Sequence, residues 1–139
     1  MNDYNWPELA VGLGATFEVL VTAQMLDDFA ALSGDCNPLH MDDAFARSAG
    51  FPGRLVFGML TSSFYSRLVG MYLPGKHGLL HGVEVEFKKP AHIGDRLTVS
   101  GEVVYLNDAY RQIEVKARIL NQRGETVSKA TIRAGLREH

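Results

Sequence analysis

The sequence has little cysteine, no excess of charge of either sign and no long apolar run. Its one cysteine, Cys36, excludes an intrachain disulfide and suits a reducing compartment. The 14 Lys and Arg residues nearly balance the 16 Asp and Glu residues, which predicts neither nucleic acid nor a membrane as partner. No apolar stretch approaches the roughly 20 residues of a membrane span, and the first residues lack the pattern of a secretion signal. A soluble, cytoplasmic protein is therefore expected.

The length of the chain is that of one domain. Its 139 residues, 46% of them hydrophobic, are enough to bury a core. No internal repeat or low-complexity segment divides the sequence. We therefore predict a single domain over residues 1–139, with its folded core at about residues 9–136.

The first half of the sequence predicts one strand and two helices. Residues 16–21 alternate as a strand does. Thr22 can cap a helix that ends at Gly34, and a second, short helix is predicted over residues 43–48. The residues predicted to form the buried face of the first helix are Met25, Leu26, Phe29 and Leu32.

A long apolar segment at residues 55–73 predicts the central element. Apolar residues recur there at helical spacing, and the remaining positions are mostly small: Ser62, Ser63, Ser66, Arg67 and Gly70. A helix that is apolar or small in nearly every direction belongs inside a domain. At 1.5 Å per residue, about 15 residues form a rod of roughly 22 Å, which can cross a small sheet.

Everything after Gly78 alternates with the period of strands. Short connections at residues 107–108 and 121–124 predict antiparallel hairpins and leave no room for crossover helices. The fold class is therefore α+β, with an antiparallel sheet of about five strands wrapped around one long helix. Such a sheet leaves an open edge, which favours a dimer that joins two sheets.

The polar hinge at residues 33–40 holds the strongest pair of chemical groups, Asp35 and His40. Gly34, Asn37 and Pro38 predict a rigid turn around them. A carboxylate and an imidazole in one rigid turn can act on the same water as acid and base. The same residues are also ordinary loop and helix-capping residues, so spacing alone leaves both interpretations open.

A family resemblance favours the chemical interpretation. The run Phe29, Leu32-Ser33-Gly34-Asp35-x-Asn37-Pro38-Leu39-His40, with Ala46 after five residues, resembles the signature of MaoC-like (R)-specific enoyl-CoA hydratases and (3R)-hydroxyacyl dehydratases. The resemblance covers about residues 9–136 and implies a hot-dog fold in a homodimer or a dimer-based oligomer. The implied reaction is reversible hydration of a trans-2-enoyl thioester to the (R)-3-hydroxyacyl thioester, without a metal or redox cofactor. The carrier, coenzyme A or acyl carrier protein, is left open.

The resemblance also implies roles for individual residues. Asp35 and His40 would share the catalytic water, and the backbone amide of Gly58 would be the oxyanion donor at the start of the long helix. A glycine at a helix start can equally serve the helix alone. The implied substrate-binding positions are Asn37, Phe57 and Ser66. Phe57 departs from the family, whose members usually carry histidine there, and we interpret it as a residue that shapes the pocket.

Two other functions fit the same fold, an acyl-CoA thioesterase and a non-catalytic acyl-thioester binding protein. The remaining candidate groups are weaker. His77 and His81 have a metal-like spacing, but the glycines around them argue against a helix that would align them. Cys36 is expected to be inert beside acidic neighbours, and His92 and His139 are expected to be solvated.

Overall fold

The computed structural model describes residues 1–137, and five strands with one long helix form its framework. The strands are β1 (Gly14–Leu20), β2 (Gly78–Phe87), β3 (Arg96–Asn107), β4 (Gln112–Leu120) and β5 (Thr126–Leu136). The helices are α1 (Ala23–Ser33), α2 (Pro38–Met41), α3 (Asp43–Ser48) and α4 (Gly58–Met71), after a 3-10 turn at Trp6–Glu8. The predicted α+β arrangement is confirmed. His139 lies outside the described residues.

All strand pairs are antiparallel, and the strand order is β1-β3-β4-β5-β2. One face of the sheet is dry because alternate residues point to the same side, including Val99, Val115 and Ile132, which are fully buried. Helix α4 packs on this face. A Cβ atom at Gly101 would lie 2.6 Å from Cδ2 of Leu68, so a residue without a side chain is needed where the helix approaches β3.

Helix α1 begins and ends as the sequence predicts, but its buried face differs. The Thr22 side chain accepts a hydrogen bond from the Met25 amide, and Gly34 ends the helix at φ 79°. The predicted burial of Leu32 is wrong, because this side chain is 86% exposed. The buried face is centred on Leu26 and Ala30, and Leu32 is on the opposite side of a helix with about 3.6 residues per turn.

Helix α4 is shorter than the apolar segment that predicts it, and one side of it is exposed. Residues 55–57 enter the helix as extended chain, and Leu73 follows the helix as a buried residue. The exposed side consists of Met59, Ser63, Ser66, Arg67, Gly70 and Met71. In the single chain, the expectation of a helix buried in every direction is therefore correct only for the face on the sheet.

A buried polar pair connects the centre of α4 with β5. Tyr65 and Ser128 are both 0% exposed, and their hydroxyl oxygens lie 2.7 Å apart. Burial raises the pKa of Tyr65 to about 12, and the hydrogen bond with Ser128 opposes part of this rise. The neutral phenol is therefore the form that the folded protein favours.

Replacing Tyr65 with phenylalanine is expected to destabilise the protein at pH 7 and less so at pH 11. At pH 7 the variant leaves the Ser128 hydroxyl without this partner, at a cost of about 1–3 kcal/mol. Because the folded-state pKa is raised, the wild-type advantage is complete below pH 10 and is lost as pH rises towards 12. Urea unfolding at both pH values measures how much the free energy of unfolding of wild type exceeds that of the variant. This excess should be about 1 kcal/mol smaller at pH 11 than at pH 7. An equal difference at both pH values would contradict this prediction.

No helix within residues 1–137 combines the length and apolar character needed to cross a bilayer.

Candidate active site

A cleft of about 570 Å³ lies beside the N-terminal end of α4. It receives residues from the loop after α1, from α2, from the start of α4 and from the chain that follows β2. The lining residues are Asp35, His40, Val56, Gly58, Met59, Thr61, Phe87, Lys88, Lys89, Pro90, Ala91 and Val127. The cleft therefore combines an acid, an imidazole and a helix N-terminus with an apolar interior.

The loop that carries Asp35 is held by local hydrogen bonds. The Ser33 hydroxyl accepts from the Asp35 amide at 3.1 Å, and Oδ1 of Asp35 accepts from the Asn37 amide at 3.1 Å. The Asn37 side chain accepts from the Leu39 amide at 2.9 Å and so caps α2, in which Pro38 is a first-turn residue. The predicted rigid turn is therefore partly helical, since an Asn cap followed by Pro starts a helix.

The imidazole of His40 is oriented from two sides. Its Nδ1 lies 2.8 Å from the carbonyl oxygen of Leu55. A carbonyl can only accept a hydrogen bond, so Nδ1 is the protonated nitrogen, and neutral His40 keeps an unprotonated Nε2. The ring also stacks on Phe57, with centroids 4.2 Å apart, and Phe57 packs against Phe29. Both the tautomer and the plane of His40 are thus fixed by the structure.

The start of α4 presents an unused donor. Within residues 1–137 the Gly58 amide donates to no backbone or side-chain acceptor, as expected of the first residue of a helix. The positive end of the helix dipole lies at the same place. The Phe87 ring covers Gly58, because a Cβ atom there would lie 2.9 Å from Cε1 of Phe87. Only glycine leaves room for the Phe87 ring at this position, and the Gly58 backbone itself lines the cleft.

The structure brings three of the six predicted site residues together and leaves three outside the cleft lining. Asp35, His40 and Gly58 line the same cleft. Asn37 caps α2, and Phe57 is 2% exposed and lies under the His40 ring. Ser66 is on the exposed side of α4, two turns beyond Gly58. In the single chain, the substrate contacts predicted for these last three residues have no geometric support.

Several residues at the cleft carry no motif that would identify them in the sequence. Phe87 is simply the last residue of β2, and Thr61 and Val127 are part of ordinary helix and strand patterns. Thr61 is 2% exposed, and its hydroxyl donates to the Gly58 carbonyl at 2.8 Å. The alternating pattern of β2 is the one signal that could have indicated that Phe87 projects from the end of that strand.

Two lysines stand at the mouth of the cleft. Lys88 Nζ lies 3.0 Å from a carboxylate oxygen of Glu86, and Lys89 forms an ion pair with Glu125. The hydrogen bonds from Lys89 and then Arg123 lower the pKa of Glu125 to about 2. Both lysine side chains are about half exposed, so an anionic group at the mouth can compete with these acidic partners.

The cleft wall that contains Pro90 and Ala91 is followed by a turn that a buried carboxylate holds. Asp95 is 5% exposed and accepts hydrogen bonds from the His92 amide and from Nε2 of Gln122. The Val56 amide donates to the Ala91 carbonyl at 2.9 Å and ties this wall to the segment before α4. The expectation that His92 is solvated is wrong for its Nδ1, which is buried without a hydrogen-bond partner because Leu55 pairs with this turn.

Together these groups can perform acid–base chemistry on a polarised carbonyl compound. Asp35 and the Nε2 of His40 can accept protons, and the Gly58 amide can donate to an oxygen that gains negative charge. The apolar interior suits an uncharged chain. An antiparallel sheet around one helix, with this cleft at the start of the helix, defines a hot-dog protein equipped for proton transfer.

Comparisons with known proteins agree with this class. The family model described as MaoC like domain matches residues 12–124. An (R)-specific enoyl-CoA hydratase of Aeromonas caviae is 40% identical over 116 residues, which are 84% of this chain and 87% of the relative. A mitochondrial 3-hydroxyacyl-[acyl-carrier-protein] dehydratase of Arabidopsis thaliana is 36% identical over 88 residues, 63% of this chain and 52% of the relative.

The solved structure of an (R)-hydratase from A. caviae, described as involved in PHA biosynthesis, superposes with a TM-score of 0.90. It is 36% identical and covers 94% of this chain and 98% of its own. The chain belongs to the MaoC-like domain family, and the predicted hot-dog fold is confirmed.

Proposed function

We propose that this protein is a hydro-lyase that reversibly adds water to a trans-2-enoyl thioester and forms the (R)-3-hydroxyacyl thioester. The observation that carries the proposal is the common cleft of Asp35, His40 and Gly58. The named relatives, an (R)-specific enoyl-CoA hydratase and a 3-hydroxyacyl-[acyl-carrier-protein] dehydratase, support the choice of substrate class.

In the proposed reaction Asp35 and His40 hold one water beside the β-carbon. As the water oxygen bonds to the β-carbon, the Asp35–His40 pair accepts one of its protons, and the pair returns one proton to the α-carbon. The electron pair of the double bond moves first towards the thioester oxygen, where the Gly58 amide stabilises the negative charge. Within the imidazole of His40, Nε2 is the nitrogen that can take this proton, since Nδ1 already donates to the Leu55 carbonyl.

The proposed binding mode follows the chemistry of the lining. The acyl chain lies against Val56, Thr61, Ala91 and Val127, and the carrier leaves past Lys88 and Lys89. Coenzyme A and the phosphopantetheine of acyl carrier protein both bear phosphate, which these lysines can contact. We propose that the protein acts in the cytoplasm, which the exposed thiol of Cys36 supports.

We also propose a homodimer. Within the described residues 1–137, the edge strands β1 and β2 each have one unpaired side, and β2 exposes Leu79, Leu80 and Phe87. A second copy paired along β2 would cover these side chains and leave no free β2 edge. Sedimentation velocity measures the mass, and a monomer at micromolar concentration would refute this assembly.

Turnover of crotonyl-CoA and of a medium-chain trans-2-enoyl-CoA tests the proposed function. Loss of enoyl absorbance without release of free thiol is the expected result, and the product should be the (R)-enantiomer. Thiol release detected by a thiol-reactive dye, without hydration, would instead indicate the thioesterase. Binding without either change would indicate the acyl-thioester binding protein. The matching acyl-carrier-protein thioesters, assayed in parallel, identify the carrier.

A further inference from the structure

The guanidinium group of Arg54 connects the elements that carry the acid and the imidazole. Its Nε donates to the carbonyl oxygen of His40 at 2.6 Å, and one terminal nitrogen lies 2.8 Å from Oδ1 of Asp27 on α1. The Arg54 amide donates to Oδ1 of Asp43 at 2.9 Å. Arg54 therefore contacts α1, α2 and the start of α3, although no motif marks it.

The setting of Arg54 differs from that of a surface ion pair. Its side chain is only 12% exposed, whereas that of Asp27 is 50% exposed. An exposed ion pair is worth little, but a planar guanidinium that holds a backbone carbonyl and a carboxylate at once fixes geometry. The bond to the His40 carbonyl depends on the direction of the guanidinium fork, and a lysine ammonium lacks such a fork.

The neighbouring residue completes this connection. The Leu55 amide donates to the Leu39 carbonyl at 3.1 Å, and the Leu55 carbonyl accepts from Nδ1 of His40. Residues 54 and 55 thus hold α2 by two hydrogen bonds to its backbone, one to the His40 imidazole and a weaker one from Arg54 to the Met41 sulfur at 3.5 Å. The position of His40 is set less by its own one-turn helix than by Arg54 and Leu55.

We propose that Arg54 is a positioning residue that holds the His40 imidazole and the Asp35 loop in register for proton transfer. The inference rests on the proposed hydration reaction, but its effect on the ring of His40 can be measured without turnover. Arg54 lies outside the cleft lining and acts through the His40 backbone. Displacement of a reacting group by about 1 Å can cost about a hundredfold in rate.

The kinetic test compares Arg54→Ala and Arg54→Lys with Arg47→Ala. Arg47 is a matched control because it lies on the exposed side of α3 and its Nε donates to the Pro52 carbonyl at 3.3 Å, away from α1 and α2. Arg54→Ala is expected to lower kcat about ten- to a hundredfold with KM nearly unchanged, and millimolar guanidinium should restore part of kcat. Arg54→Lys should lie between wild type and Arg54→Ala, and Arg47→Ala should resemble wild type.

The second measurement is the ¹⁵N spectrum of the His40 ring. Wild type should show neutral imidazole protonated at Nδ1, and both Arg54 variants should show a mixture of tautomers. If Arg54→Ala does not fold, the inference is tested with Arg54→Lys, by the same ¹⁵N spectrum and by its kcat. Unchanged kcat and an unchanged His40 tautomer in a folded Arg54 variant would overturn the inference. A wild type without hydration but with an altered ring in the variants would refute the proposed function and leave the positioning role intact.

Discussion

His40→Gln is expected to lower kcat for hydration by about 10²–10⁴, and Asp35→Asn by a similar factor. Each substitution removes a proton acceptor and keeps a side chain of nearly the same size. KM should change little, because neither residue contributes much apolar contact to the acyl chain. The loss of enoyl absorbance under saturating substrate gives kcat directly.

Matched substitutions elsewhere control for the change of residue type. His81→Gln replaces an imidazole that bonds to Gln112 on the sheet, and Asp28→Asn replaces an exposed carboxylate that accepts from Gln24. Both should retain wild-type rates. The double variant of Asp35 and His40 should lose little more than the poorer single variant, because both groups act on one water. If both single variants kept more than a tenth of wild-type kcat, the assignment of the catalytic pair would be wrong.

The second large effect concerns the Gly58 amide, and proline can remove it selectively. Proline is favoured in the first turn of a helix, where the missing N–H has no helical acceptor, and Phe57 already has the extended ψ of 130° that precedes proline well. Any side chain at position 58 would meet the Phe87 ring, so the comparison is made in a Phe87→Ala background. In that background, Gly58→Pro should have a kcat about 10²–10³ lower than Gly58→Ala.

The alanine variants separate crowding from loss of the donor. Gly58→Ala alone should lose activity because its Cβ lies too close to Phe87, and Phe87→Ala should restore part of that activity. Circular dichroism should show that α4 is intact in every variant. Equal kcat for Gly58→Pro and Gly58→Ala in the Phe87→Ala background would show that the amide is not the oxyanion donor.

The residues that could be predicted from the sequence are those whose signal is local. The Thr22 cap, the Gly34 stop and the presence of the last four strands depend on neighbours within a few positions, and all are confirmed. The predicted alternation of buried and exposed residues is regular in β4 but absent from β2, in which no residue is buried. The position of Asp35 and His40 in one cleft follows from the same short segment. These features needed no knowledge of distant contacts.

The features that could not be predicted depend on contacts between distant segments. The sequence predicts Phe57 as a residue that shapes the pocket, but in the structure its ring stacks against that of His40. Arg54 looks like any charged residue in a loop, because its partners Asp27 and His40 are 27 and 14 positions away. The exposure of Leu32 reflects which side of α1 faces the hydrophobic core, a choice that helical spacing alone does not make.

The extended segment at residues 55–57 belongs to both walls of the cleft. Leu55 bonds to α2, and Val56 bonds to the Ala91 carbonyl on the other wall. Separating the walls would break at least one of these sets of bonds, which disfavours opening of the cleft by movement of a whole wall. At the rim of the cleft, the Met59 side chain is 66% exposed. For the proposed reaction we therefore expect substrate to enter by rotation of the Met59 side chain on a fixed frame, on the timescale of rotamer changes and not of domain motion.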